Sequence, residues 1–145
     1  MARLNGIFAF AIWDTLKHTL FLARDHLGVK PLLYQHDHTG LRFASELKAL
    51  LLHPRIDRSI SEEGLQNYLS LGYTISPKTI LKNVYKLPPG HYLLVCDEQI
   101  IERSYWDLAG CVNNPFPNNH TALNSAIERF DDALHTAVHQ QMISD

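Results

Sequence analysis

Cysteine is scarce in this chain: there are two among 145 residues, Cys96 and Cys111, with no CxxC pairing. A secreted scaffold held by disulfides would be far denser in cysteine. Long hydrophobic runs are also missing. The longest, Ile7 to Trp13, falls far short of the roughly 20 residues that span a bilayer, and Met1-Ala2-Arg3-Leu4-Asn5-Gly6 carries no signal-peptide core. Nor is there an excess of charge of one sign. Net charge is −2 and Lys and Arg are scattered, so neither nucleic acid nor a membrane is expected as a partner. The GxxxxGKS/T and GxGxxG phosphate loops and the GxSxG nucleophile elbow are all absent. These absences leave a soluble, cytoplasmic globular chain as the expectation. A composition of 46% apolar and 19% charged residues agrees with it. The length suits one modest core, or an incomplete domain with the start of another.

What is present begins with strands. Ile7-Phe8-Ala9-Phe10-Ala11-Ile12-Trp13 is apolar at every position, the pattern of a short strand covered on both faces. Asp14 to His18 breaks it as a five-residue loop, and Thr19 to Ala23 completes a hairpin. His26-Leu27-Gly28 forms the next turn, with Gly28 free to take positive φ. Lys30-Pro31 keeps the chain extended into Leu32-Leu33-Tyr34, and His36 to Gly40 turns it into Leu41 to Ala44. The first third therefore reads as a meander of four short strands.

Glu46 to Leu52 predicts a short helix stopped by Pro54. Ser59 and Glu62 have the spacing of a capping box; Leu65, Tyr68 and Leu69 give the following helix one apolar face, and Gly72 ends it. Leu87-Pro88-Pro89-Gly90 is a rigid turn opening a last hairpin, His91 to Val95 and Gln99 to Tyr105, around Asp97-Glu98. The stretch from 107 to 120, with Asn113-Asn114-Pro115-Phe116-Pro117-Asn118-Asn119 at its centre, reads as a linker. Beyond it Leu123, Ile127, Phe130, Leu134, Ala137, Val138 and Met142 keep the spacing of an amphipathic helix. An apolar stripe with no visible partner predicts that a larger domain begins there.

Three clusters invite a chemical reading. His36 and His38 alternate within a predicted turn, more simply a polar hairpin tip than a metal site. Asp131, His135 and His139 lie on one side of the last helix, but without an HExxH glutamate they fit a solvated flank. Arg24-Asp25 ends a buried strand, where charges need partners, so a turn-closing role is favoured over a catalytic one.

Several blocks, taken in order, closely resemble the glutamine-hydrolysing asparagine synthetases. They are Leu4-Asn5-Gly6-Ile7-Phe8-Ala9-Phe10-Ala11-Ile12-Trp13-Asp14, Leu22-Ala23-Arg24-Asp25-His26-Leu27-Gly28-Val29-Lys30-Pro31-Leu32 and Phe43-Ala44-Ser45-Glu46-Leu47-Lys48-Ala49-Leu50. Tyr68 to Tyr73, Lys86 to His91 and Tyr105-Trp106-Asp107 continue the series, and Phe130 to Asp145 resembles the lead-in helix of the synthetase domain. The resemblance implies an α+β chain: the C-terminal half of a four-layer αββα N-terminal-nucleophile amidohydrolase over 1–107, a linker over 108–120, and the start of an α/β ATP-binding domain over 121–145. In the full-length family enzyme, ammonia stripped from glutamine attacks an aspartyl adenylate made with ATP and Mg²⁺. The enzyme is an ATP-dependent carbon–nitrogen ligase, and a homo-oligomer is a further expectation.

The departures from the family are equally informative. The family nucleophile is a cysteine following the initiator methionine, whose free α-amine accepts the proton. Position 2 here is Ala, and Cys96 has its nitrogen in a peptide bond. The glutamine-gripping segments and the Ser-Gly-Gly-x-Asp-Ser pyrophosphate loop are not in the sequence either. No catalytic, substrate-binding or metal residue is therefore carried over, and this chain alone is expected to bind no cofactor and to be inactive. Arg24, Asp25, Gly28, Lys30, Pro31, Glu46 and Lys48 are expected to act as scaffold, with a contact between domains as a further role. Two alternatives stand beside this reading: a non-catalytic module that binds a partner protein, or part of an amidotransferase with another acceptor.

Overall fold

The computed structural model describes residues 1, 3–96, 99–111 and 120–142. It divides into two compact units, Met1–Gly110 and Cys111–Asp145. In the first unit β1 (Ala9–Asp14), β2 (Thr19–Arg24), β3 (Leu33–Asp37) and β4 (Gly40–Ala44) precede α1 (Leu47–Leu50) and α2 (Glu62–Leu71). Then come β5 (Val84–Lys86), β6 (His91–Cys96) and β7 (Gln99–Ser104). All strand pairs are antiparallel.

The four N-terminal strands do not form one meander. They make two hairpins in different sheets, ordered β1-β2-β6-β7 and β4-β3-β5. The segment after Arg24 carries the chain from one sheet to the other, and Leu32 is buried in the gap between them. Leu22 of β2 and Leu93 of β6 meet Leu32 and Leu87 there, with Tyr34 and Leu41 of the second sheet packed around them. Tyr34 also reaches across to donate its hydroxyl to the Glu102 carboxylate at 3.1 Å. Leu33 and Val84 face the other way, against Leu50, Ile56 and Leu81. The unit thus stacks sheet on sheet, with a helical cover on the outer face of the second.

β2 is buried as its sequence predicts, with Leu22 and Ala23 at 0% exposure. β1 is not. Ala11, Ile12 and Trp13 are exposed, because β1 is an edge strand with only β2 beside it. Apolar content alone does not distinguish a strand that is covered from one that awaits cover. The loop between the strands is four residues rather than five, since Asp14 still pairs with Thr19. Asp14 closes it by accepting the N–H groups of Leu16 and Lys17 at 2.9 and 3.0 Å. Similarly, His36 lies in β3 opposite Leu41, which narrows the next turn to His38-Thr39.

The helix α2 starts later than the capping-box spacing predicts. Ser61, not Ser59, is its N-cap and accepts the Gly64 N–H at 3.2 Å. Tertiary pairing explains the difference. The Ser59 carbonyl accepts from Lys82 N–H and Ser61 N–H donates to Ile80, both at 2.9 Å, so the segment stays extended until Ser61. Gly72 ends the helix in the left-handed conformation, φ 79°. Leu65, Tyr68 and Leu69 are exposed, whereas Gly64 is buried. A Cβ on Gly64 would lie 2.2 Å from the Thr79 carbonyl oxygen, so only glycine lets the helix backbone approach this closely.

β5 was not legible, because three residues show no periodicity. In the second unit α3 runs from His120 to Gln141, and its predicted stripe from Leu123 to Met142 is exposed. No helix among the described residues is long and apolar enough to cross a membrane. The Asp97-Glu98 hairpin tip and the Asn113–Asn119 linker centre lie outside the described residues.

Candidate functional site

Asp25, the one buried charged side chain among the described residues, lies with Arg24 where β2 leaves its sheet. Arg24 and Asp25 do not pair with each other there; each engages backbone. The Arg24 guanidinium donates from Nε to the Lys30 carbonyl at 2.7 Å, and from Nη1 and Nη2 to those of Leu87 and Gly28 at 2.6 Å each. Asp25 Oδ1 accepts the Leu27 and Val29 N–H groups at 3.2 and 2.9 Å, and Oδ2 accepts that of Lys30 at 3.0 Å. The Asp25 N–H donates to Phe8, its carbonyl accepts from Gly28 and Gly90, and the Tyr105 hydroxyl donates to the Arg24 carbonyl at 2.6 Å. A single knot therefore ties the lead into β1, the 24–30 turn, the Leu87–Gly90 turn and the end of β7.

Each part has a local cause. A carboxylate one carbon from the backbone reaches the amides of its own turn. Gly28 takes φ +67°, and a Cβ there would stand 2.9 Å from both Arg24 Cζ and Pro89 Cγ. Gly90, φ +65°, is crowded as well: its Cβ would meet the Trp106 carbonyl oxygen at 2.5 Å. Lys30 serves through its N–H and carbonyl while its side chain, like Pro31, is exposed. Glu46 and Lys48 do not join the knot. They form an exposed ion pair at 2.7 Å near α1, a geometry that contributes little.

Burial works to raise the Asp25 pKa, but the amides of Lys30 and Val29 outweigh it and hold the carboxyl below its ordinary value. Burial lowers the Arg24 pKa, and the nearby Asp25 charge opposes this. Burial first, and then Asp25, raise that of Tyr105. With both Asp25 oxygens occupied and the residue 2% exposed, it cannot take a proton from a substrate without opening the turn. Both charged side chains are thus engaged with backbone groups.

The remaining candidates are dispersed. His36 and His38 fall in a strand and a turn. Asp131 and His135 approach to 3.8 Å on the exposed surface of α3. Cys96 lies half-buried at the end of β6. Among the described residues no three His, Cys, Asp or Glu side chains converge as a metal site. One further network has no signature in the sequence. Arg42 donates to Gln35 at 2.8 Å, to Asp37 at 3.2 Å, to the Thr39 hydroxyl and to His53. Thr39 and Gln35 hydrogen bonds hold the Asp37 carboxyl far below its usual range. Alternation along β3 and β4 could have placed Gln35 opposite Arg42, but not His53.

Residues 1–106 match the glutamine amidotransferase domain. The chain belongs to that family. Two relatives from Bacillus subtilis (strain 168) align over 145 residues: glutamine-hydrolysing asparagine synthetase 3 at 35% identity and synthetase 1 at 32%. Each alignment covers 99% of this chain and 22% of the relative. Amidase chry2 of Gibberella zeae is 34% identical over 114 residues, 74% of this chain and 16% of its own length. The blocks noted from Leu4 to Trp106 thus lie within the matched amidotransferase domain, and the chain spans only about a fifth of the synthetases it matches. Within this amidotransferase domain the Arg24–Asp25 knot joins segments up to 81 residues apart.

Proposed function

We propose that this chain is the C-terminal part of a glutaminase domain, with the opening helix of a synthetase domain, from a cytoplasmic asparagine synthetase. The whole enzyme makes asparagine from aspartate, ATP and glutamine-derived ammonia. The observation that carries this reading is alignment with asparagine synthetases along 99% of the chain, through α3 as well as the amidotransferase unit. Two face-to-face antiparallel sheets with helices on one side fit three layers of an αββα stack. Segments elsewhere in the enzyme supply the fourth.

The chain's own task in this reading is to hold the sheet pair in register through the Arg24–Asp25 knot. Ammonia release needs a thiolate beside a free α-amine. The cysteines here, Cys96 and Cys111, both have their nitrogens in peptide bonds. The residues present do not fit ATP or Mg²⁺ either: no phosphate loop occurs in the sequence, and among the described residues no carboxylate cluster forms. The isolated chain is therefore inactive. Purified chain and chain produced with the coding sequence around it restored should be compared for glutaminase and asparagine-forming activity. Activity only with the flanks is expected; turnover by the isolated chain, free of host enzyme, refutes the proposal.

A second reading, a non-catalytic module that binds a partner, draws support from the exposed Leu65, Tyr68, Leu69, Leu71 and Tyr73 and from the exposed edge strand β1. A monodisperse monomer that does not bind the dye ANS would count against it.

A further inference from the structure

A cavity of about 520 Å³ opens on the outer face of the second sheet, lined by none of the Arg24–Asp25 knot residues and independent of the reading above. Leu33 and Lys86 are opposite one another on β3 and β5, so both side chains leave the sheet on this face. Leu47 of α1, Ile80 and the rings of Tyr68 and Tyr73 line it too, with Thr74 and with Thr79, whose hydroxyl is taken up by the Leu81 and Val84 backbone. One cation stands among these apolar groups. The Lys86 ammonium donates to the Thr74 carbonyl and, at 2.8 Å, to the Thr74 hydroxyl, which uses two of its three hydrogens. Among the described residues no carboxylate forms an ion pair with it. Burial, and then the nearby Arg24 charge, both disfavour its charged form.

A partly desolvated ammonium with only neutral acceptors is a group whose best missing partner is an anion. The surroundings define the rest of that partner. Apolar walls offer little to a sugar or a zwitterion, Lys86 and Arg24 repel a cation, and a neutral hydrocarbon leaves the ammonium unpaired. We propose that this cavity binds a small amphipathic monocarboxylate. The carboxylate accepts from Lys86 Nζ, and an apolar arm lies on Leu33, Leu47 and Ile80 between the two phenols.

Equilibrium dialysis of the 145-residue chain with 4-phenylbutyrate, 4-phenylbutan-1-ol and 4-phenylbutylamine tests this. The carboxylate is expected to bind one saturable site roughly tenfold more tightly than the alcohol, and the amine more weakly still. Lys86→Gln should reduce carboxylate affinity to that of the alcohol. Tyr73→Ala, at a 61% exposed position, should weaken carboxylate and alcohol alike. Arg55→Gln, at an exposed position outside the cavity, should change neither. Equal binding of all three probes, no saturable carboxylate site, or unchanged affinity in Lys86→Gln and Tyr73→Ala would overturn the proposal. So would affinity that falls as chain concentration rises, since a second copy would then occupy the cavity.

Discussion

Asp25 is the residue on which the turn after β2 converges, with bonds to the backbone of Phe8, Leu27, Gly28, Val29, Lys30 and Gly90. Asp25→Ala strips the acceptor from the Leu27, Val29 and Lys30 amides, and should cost roughly 2–4 kcal/mol in urea unfolding. Asp25→Asn should cost less, because one oxygen remains. A loss below about 0.5 kcal/mol for the alanine variant would show that water replaces the carboxylate freely. The same site predicts a pH dependence. Its folded carboxyl is held below the unfolded value, so the stabilisation is complete above about pH 4 and drains away as pH falls through the lowered value. Asp25→Ala should flatten that acid limb; an unchanged limb would assign it to Asp37 and the other carboxylates. Gly64→Ala presents the opposite problem. Alanine favours helix by about 1 kcal/mol, yet its Cβ would stand 2.2 Å from the Thr79 carbonyl oxygen. The clash should win, with a net loss of roughly 1–3 kcal/mol measured by the same method.

At the scale of elements, the start of α2 separates local pattern from tertiary decision. Ser61→Ala removes the acceptor of the Gly64 N–H and should cost about 1 kcal/mol. Ser59→Ala should stay within about 0.5 kcal/mol, since its backbone, not its hydroxyl, pairs with Lys82. Equal effects in denaturation would place the cap wrongly. Strand existence was broadly legible from apolar runs and turn residues. β5 was not, nor was the distribution of strands between two sheets. Both depend on pairings such as Leu33 with Lys86, which leave no trace in local spacing.

For the whole molecule, the consequence is surface that invites association. Ile12 and Trp13 are 56% and 54% exposed on an edge strand. Ile12→Lys should lower self-association in sedimentation velocity while leaving the urea midpoint nearly unchanged. Unaltered association would direct attention to the α2 patch instead. The candidate site was partly legible at this scale too. Arg24, Asp25 and Gly28 stood out as one block, but Phe8, Leu87, Gly90 and Tyr105 did not declare themselves as its partners. Their contributions are largely backbone N–H and carbonyl groups, which every residue has, so no side-chain pattern marks them.

The order of the motif blocks, Gly72 as a helix stop and the amphipathic spacing of α3 were set by the sequence alone, because each rests on local conformational preference or periodicity. Membership in the amidotransferase family was legible for a related reason: ordered blocks survive as sequence. Only the tertiary structure decided that β1 lies at an edge, that α2 begins at Ser61, and that Arg24 and Asp25 bind backbone rather than one another. Those outcomes depend on which distant groups arrive within hydrogen-bonding reach, and that is settled by packing rather than by neighbours along the chain.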